Sequence, residues 1–355
     1  MIPRFLSGLS FVMVVCGVHG LALGQEAEDV HTVQLEKRIA KATGKGLVWL
    51  VASQQEDGSW GSGRFEGSVA VTAQCLLAVL GSGSTPASGP DTVAARRAAM
   101  WLLDQSNDNG LIARNEAAAH GPMYGHAFAT LALSESFGEV SSDKAQRVLR
   151  AAATLIQETQ NDDGGWRYKP TPGDADLSVT SAMLIALRSL SAAGVAVQEE
   201  VPQKAIAYIT RLQNEDGGFR YLLEAGPSGA PRTAAALFAL QLAGAEGVVI
   251  DNGFRWLNQH PLRLNSDDGY ALYGLSYSAA ARYQRLLSTH AKNAWEKWYS
   301  RATRMLLEAQ RTDGSWSDPS CSEYGTAAAI SVLQMPNGLL PIVVEQGRMK
   351  NQVGP

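Results

Sequence analysis

Four stretches of this 355-residue chain repeat one pattern, a glutamine followed by a short acidic turn, a glycine, one further small residue and an aromatic ring. They run from Gln54 to Gly58-Ser59-Trp60, from Gln160 to Gly164-Gly165-Trp166, from Gln213 to Gly217-Gly218-Phe219 and from Gln310 to Gly314-Ser315-Trp316. A degraded copy, Gln-Ser-Asn-Asp-Asn-Gly-Leu-Ile, starts at Gln105. The glutamine closes a helical run, the glycine admits a positive φ, and the aromatic residue precedes a second apolar helical run. The unit is therefore helix, glycine turn, aromatic clamp, helix.

The second helices share a register. Thr72-Ala73, His126-Ala127, Thr180-Ser181, Thr233-Ala234 and Thr326-Ala327 each lead an Ala/Leu-rich run, and the first four anchors lie 53 or 54 residues apart. A period near 50 with two helices per repeat predicts an α-solenoid or a closed α/α ring, because one such hairpin cannot bury its own apolar face. The second helices are apolar on most faces, whereas the first carry the Lys, Arg and Glu, which suits an inner ring inside an outer one. The expected pairs are 33–54 with 67–80, 92–105 with 124–137, 142–160 with 177–190, 201–213 with 230–242, 251–259 with 270–287, and 291–310 with 324–334. Six pairs can close, so the fold class expected is all-α, an (α/α)6 toroid over residues 33–335 with a C-terminal tail at 336–355.

Bulk properties narrow the function classes. Hydrophobic residues make up 45% and charged residues 18%, as in a well-buried globular chain. A net charge of −4 without a Lys/Arg cluster argues against nucleic acid or an anionic membrane as the partner. Residues 1–24 have the pattern of a signal peptide: Arg4, an apolar run from Phe5 to Val15 and a small-residue site at Ala22-Leu23-Gly24, followed by a polar lead at 25–32. Export to the periplasm or outside, with no stable membrane span in the mature chain, is the expectation. Cys75 falls in an apolar helix and Cys321 in a loop; an oxidising compartment would permit their pairing, which the sequence leaves open.

The paired aromatic and aliphatic residues Trp49-Leu50 ahead of Gln54 and Gly58-Ser59-Trp60, and Tyr208-Ile209 ahead of Gln213 and Gly217-Gly218-Phe219, resemble the QW motif. On these copies the chain is identified as a member of the terpenoid cyclase/protein prenyltransferase α/α-toroid superfamily, squalene cyclase-like. The resemblance implies that Trp60, Trp166, Phe219 and Trp316 brace adjacent repeats and that Gly58, Gly164, Gly217 and Gly314 make the turns.

In such a ring the N-termini of the inner helices meet at one rim, whose partial positive charge favours anions. The polar residues expected there are Glu66, Ser68, Thr72, His120, Tyr124, His126, Asp174, Asp176, Thr180, Arg232, Thr233, Asp267, Asp268, Tyr270, Cys321, Glu323 and Tyr324, with Tyr273 inside the cavity. Asp174-Ala175-Asp176-Leu177 resembles the Asp-x-Asp-Asp acid motif of class II terpene cyclases, with Leu177 in place of the last Asp. The resemblance implies Asp176 as a proton donor with Asp174 beside it; the competing reading of the same residues is a helix cap. Zinc through Asp176, His126 and Cys321, as the prenyltransferase branch would imply, lacks that branch's Asp-x-Cys pair, so neither a metal nor a cofactor is expected. Three functions compete: a cyclase-like enzyme using Asp176, a binder of an isoprenoid or lipid-like small molecule, and a scaffold for a protein or glycan, its protein partner undetermined.

Overall fold

The computed structural model describes residues 15–114, 121–140, 142–264 and 270–344. Among these residues twelve α-helices in six hairpins carry the fold: α1 (Val15–Ala52) with α2 (Val69–Gly81), α3 (Thr92–Asp104) with α4 (Met123–Glu135), α5 (Ser142–Glu158) with α6 (Leu177–Ala192), α7 (Glu200–Arg211) with α8 (Ala230–Leu242), α9 (Val248–Gln259) with α10 (Ala271–Thr289), and α11 (Lys292–Ala309) with α12 (Ser322–Leu333). Among the described residues there are no strands, only two isolated bridges beside turns. No described helix is long and apolar enough to cross a membrane.

The even-numbered helices carry most of the buried residues, α6 nearly throughout from Leu177 to Leu190 and α8 from Pro231 to Leu242. Each packs on the next even-numbered helix, and α12 packs back on α2. The ring closes. In the outer layer α11 packs against α1, the last hairpin against the first.

The repeated motif is the joint. In the third repeat the Gln160 amide donates to Gly164 O at 2.9 Å and to Val201 O of the next hairpin at 2.9 Å. The Trp166 indole, 1% exposed, donates to Ile156 O on its own outer helix at 2.8 Å, and the Trp166 backbone N–H donates to Thr180 Oγ1 at 3.0 Å. Gln54 and Gln213 bridge to Ala94 O and Val249 O in the same way, and Gln310 reaches Ala42 O at 2.8 Å, joining the last repeat to the first. Gly164 has φ +96°, and a Cβ there would lie 2.4 Å from Lys204 O, so the turn requires glycine both for its backbone and for the closeness of the next outer helix.

Two boundaries differ from the sequence reading. Helix α1 extends back to Val15, so the polar lead at 25–32 is part of that helix, while residues 1–14 of the expected signal lie outside the described residues. The tail does not simply trail away. After a 3-10 turn at Met335–Asn337 the chain folds back, and Ile342 and Val343 are 4% and 5% exposed.

Candidate functional site

The short loop before α6 sets the chemistry of the rim. Asp176 is extended at φ −134°, ψ 161°, and its Oδ1 accepts the Val179 N–H at 2.9 Å, so it caps α6. It is wholly buried, and its Oδ2 lies 3.7 Å from Arg167 Nε. Burial pushes the carboxyl up to about 6, against the opposing pull of the Val179 N–H, the Tyr221 hydroxyl and the Arg167 charge. Asp174 sits differently: its side chain is 80% exposed and accepts from Arg167 Nη1 at 2.9 Å. Only one of the two aspartates is inside the protein.

Beneath Asp176 lies a layer of tyrosines. Tyr124 and Tyr273 share a hydroxyl–hydroxyl bond of 3.0 Å across the ring, from α4 to α10. Tyr277 packs edge-on against Tyr273 with ring centroids 4.7 Å apart. Burial raises Tyr124, Tyr277 and Tyr324 well above the ordinary phenol range and takes Tyr273 up to about 12, so all four stay neutral hydrogen-bonding groups.

Under that layer is a cavity of about 100 Å³ to which every inner helix contributes. Leu77, Phe128, Leu131, Ile185, Phe238 and Ala280 make its apolar wall, Tyr273, Tyr277, Tyr324, Ser276, Ser331 and Gln74 supply polar atoms, and Leu340, Ile342 and Val343 of the tail line it as well. Such a lining can hold an apolar chain and offer it a hydroxyl or two.

The remaining sequence candidates separate into wall, seam and surface. Thr72, Thr180 and Thr233 each accept the backbone N–H of the clamp residue, Trp60, Trp166 or Phe219. His126 is the second repeat's version of these threonines: its Nδ1 accepts from Ile112 N–H at 3.1 Å, and burial lowers its pKa to about 4, leaving it neutral within the wall. Ser68 caps α2. Glu323 accepts from the Ser62 hydroxyl at 2.9 Å at the seam between the last and first repeats, where Cys75 Sγ lies 3.7 Å from Glu323 O. Cys75 and Cys321 are both buried free thiols, raised by burial, Cys321 to about 11. Glu66 and Tyr270 are exposed, and the half-buried Arg232 donates to Pro227 O at 3.1 Å beside the Tyr221 ring. His120, Asp267 and Asp268 lie outside the described residues. No group of three or more metal-ligating side chains occurs among the described residues.

The sequence reading passed over Arg167, Tyr168, Tyr221 and Tyr277. Tyr168 and Tyr221 meet hydroxyl to hydroxyl above Asp176, and the signal for them is visible: Trp166-Arg167-Tyr168 recurs as Phe219-Arg220-Tyr221, 53 residues on. Tyr277 follows Tyr273 by one helical turn, which places both on one face.

Comparison with known proteins agrees with this architecture. Over 195 residues, half of this chain, it is 28% identical to drimenyl diphosphate synthase from Streptantibioticus cattleyicolor, and the match spans 35% of that protein. Among solved structures, a variant of the type II terpene cyclase MstE from Scytonema, in complex with geranylgeranyl dihydroxybenzoate, superposes with a TM-score of 0.62 at 16% identity, covering 87% of this chain and all of that one. An inactive alpha-1,6-mannanase from Salegentibacter in complex with alpha-1,6-mannotetrose gives 0.63 at 10% identity, covering 85% and 99%. The ring is therefore a fold that this chain shares with proteins of different chemistry. The model of the prenyltransferase alpha-alpha toroid domain matches residues 30–152 and 140–324, and the chain belongs to that family.

Proposed function

We propose that the ring binds the apolar chain of an isoprenoid or lipid-like small molecule in its central cavity. The observation that carries this reading is the cavity itself, about 100 Å³, walled by Phe128, Leu131, Ile185 and Phe238 with a few hydroxyls among them. A cavity of about 150 Å³ lined by apolar side chains accepts benzene, so this one takes roughly a five-carbon unit. Support also comes from the relatives, since MstE was solved with a geranylgeranyl compound and drimenyl diphosphate synthase is named for a terpenoid product.

Proton donation by Asp176 is the second reading. A carboxyl raised to about 6 keeps a protonated fraction near neutral pH. Against this stand Arg167 at 3.7 Å, which favours the carboxylate, and the fact that Asp176 is not among the residues lining the cavity. Binding without chemistry therefore accounts for more of the geometry. The pattern of residues 1–24 further supports export, which N-terminal sequencing of the mature protein checks.

The test is native mass spectrometry of the protein with and without added prenol, the five-carbon isoprenol, together with extraction of copurifying lipids. A stoichiometric apolar ligand is the expected result. A protein that binds no isoprenol but binds mannooligosaccharide overturns the reading in favour of the glycan scaffold. Conversion of a bound alkene by the wild type but not by Asp176→Asn restores the acid.

A further inference from the structure

We propose that the C-terminal segment from Leu340 to Val343 is the floor of the cavity and fixes the length of chain the ring accepts; this rests on the reading of the cavity as an apolar-chain site. By sequence alone these residues belong to the tail that follows the domain. In the structure Leu340, Ile342 and Val343 line the cavity directly, beside the C-terminal ends of the inner helices, whereas Tyr273 and Tyr324 stand near the N-terminal ends of α10 and α12. They are not loosely placed. The Ile342 N–H donates to Glu135 Oε2 at 3.0 Å, and Glu135 Oε1 accepts the Ser189 hydroxyl at 2.6 Å, so α4 and α6 hold one end of the segment. From α10 the Gln284 amide lies 3.4 Å from Ile342 O and 3.5 Å from Val343 O, and the Tyr283 hydroxyl donates to Pro336 O at 3.3 Å.

Two polar side chains on two inner helices, Glu135 on α4 and the buried Gln284 on α10, therefore meet this short stretch of backbone. The Glu135 carboxylate gives one oxygen to the Ile342 N–H and the other to Ser189, and the buried Gln284 amide reaches two carbonyls of the segment, so α4 and α10 hold the floor in place. Trimming the side chains of Ile342 and Val343 lengthens the cavity at this floor without moving a ring helix. Replacing isoleucine by alanine removes three carbons, and replacing valine by alanine removes two. Together they free the space of one five-carbon unit, which predicts an integer step in the length of isoprenol accepted.

The experiment measures binding of prenol, geraniol and farnesol, which have about five, ten and fifteen carbons, to the wild type and to the Ile342→Ala/Val343→Ala double variant by protein-observed NMR. The expected result is a preference for prenol in the wild type and for geraniol in the variant, with geraniol bound about tenfold tighter than by the wild type and farnesol poorly by both. Far-UV circular dichroism melts show whether the variant is folded. Should it unfold, the milder Ile342→Val variant is measured instead, and a rise in geraniol binding relative to prenol is still expected. Wild-type binding of prenol with the same length preference in the folded variant overturns the floor and leaves the cavity reading standing. If neither protein binds any of the three, both readings fall.

Discussion

The third repeat and the second are built on one plan and differ in how much of it they keep. In the third, Gln160 bridges to the next hairpin, the Trp166 indole is hydrogen-bonded to its outer helix, and Thr180 anchors the clamp N–H. In the second, the Gln105 amide turns back to Trp101 O on its own helix, Ile112 has no polar edge, and His126 takes the threonine's place. Both nonetheless keep a glycine at positive φ, with a virtual Cβ 2.4 Å from Lys204 O at Gly164 and 2.5 Å from Ala151 O at Gly110. The ring therefore tolerates loss of the side-chain clamp but retains the close backbone approach and the anchored N–H. The side chains add stability to a joint that the backbone defines.

That contrast can be broken most forcefully at the clamps. Trp166→Ala deletes a fully buried ring together with its hydrogen bond to Ile156 O and is expected to cost about 3 to 5 kcal/mol, whereas Ile112→Ala is expected at the lower end of its class, about 2 kcal/mol. Urea melts of the two variants measure the gap, and equal costs would show that the aromatic clamp is not special. Gly164→Ala and Gly110→Ala sharpen the other half. Each is expected to cost more than about 1 kcal/mol, and by similar amounts, because both joints need the same φ and the same clearance.

The anchors differ in their response to pH. The His126 pKa is depressed to about 4 from 6.5 by burial, so the unfolded chain binds more protons between those values and His126 costs stability as the pH falls through that window. Asp176 has the opposite sign. Its pKa is raised by burial from 3.8 to about 6, so the folded state binds more protons there and stability is lost as the pH rises from about 4 to above 6. Each effect is about 3 kcal/mol and they largely cancel between pH 4 and 6. His126→Thr, which installs the residue of the third repeat, is expected to leave a protein that becomes more stable on acidification over that range. Asp176→Asn, which keeps a capping side chain, is expected to become less stable. Thermal melts at pH 4, 5 and 6 separate them, and two variants with the same slope would refute both assignments.

Most of the ring was legible because its constraints are local and repeated. A glycine that needs positive φ, a glutamine at a helix end and a Thr-Ala start to an inner helix recur at fixed spacing, and each acts within a few residues of its neighbours. The site was less legible because its members converge from distant parts of the chain. Asp174 and Asp176 look equivalent in sequence, yet one residue of extended backbone turns Asp176 into the cap of α6 and leaves Asp174 in solvent. Tyr124 and Tyr273 are each recognisable as candidates in the sequence, but their contact across 149 residues depends on the closed ring. The floor at Ile342 and Val343 carries no motif at all. It is recognisable only as two apolar residues beyond the last inner helix, whose partners Glu135 and Gln284 belong to α4 and α10.

The smallest effect asks whether the glutamine bridge matters as much at the closing seam as elsewhere. Gln310 donates to Ala42 O at 2.8 Å and to Gly314 O at 2.9 Å, so it spans the junction between the last repeat and the first. Removing it leaves two carbonyls to find water in a half-buried joint, and a hydrogen bond of this kind contributes about 0.5 to 1.5 kcal/mol net. Gln310→Ala is therefore expected to cost about 1 to 3 kcal/mol, the same as Gln160→Ala, since both side chains make the same pair of bonds in the same turn. Gln105→Ala, whose amide bonds only within its own helix, is expected to change stability by less than about 0.5 kcal/mol. A chemical-denaturation series on the three variants decides between two pictures of the ring. Equal losses at Gln160 and Gln310 mean that the ring unfolds as one cooperative unit in which the seam is a joint like any other. A negligible loss at Gln310 with a full loss at Gln160 would mean that the first and last repeats separate before the rest unfolds, so that closure adds little to the stability of the interior.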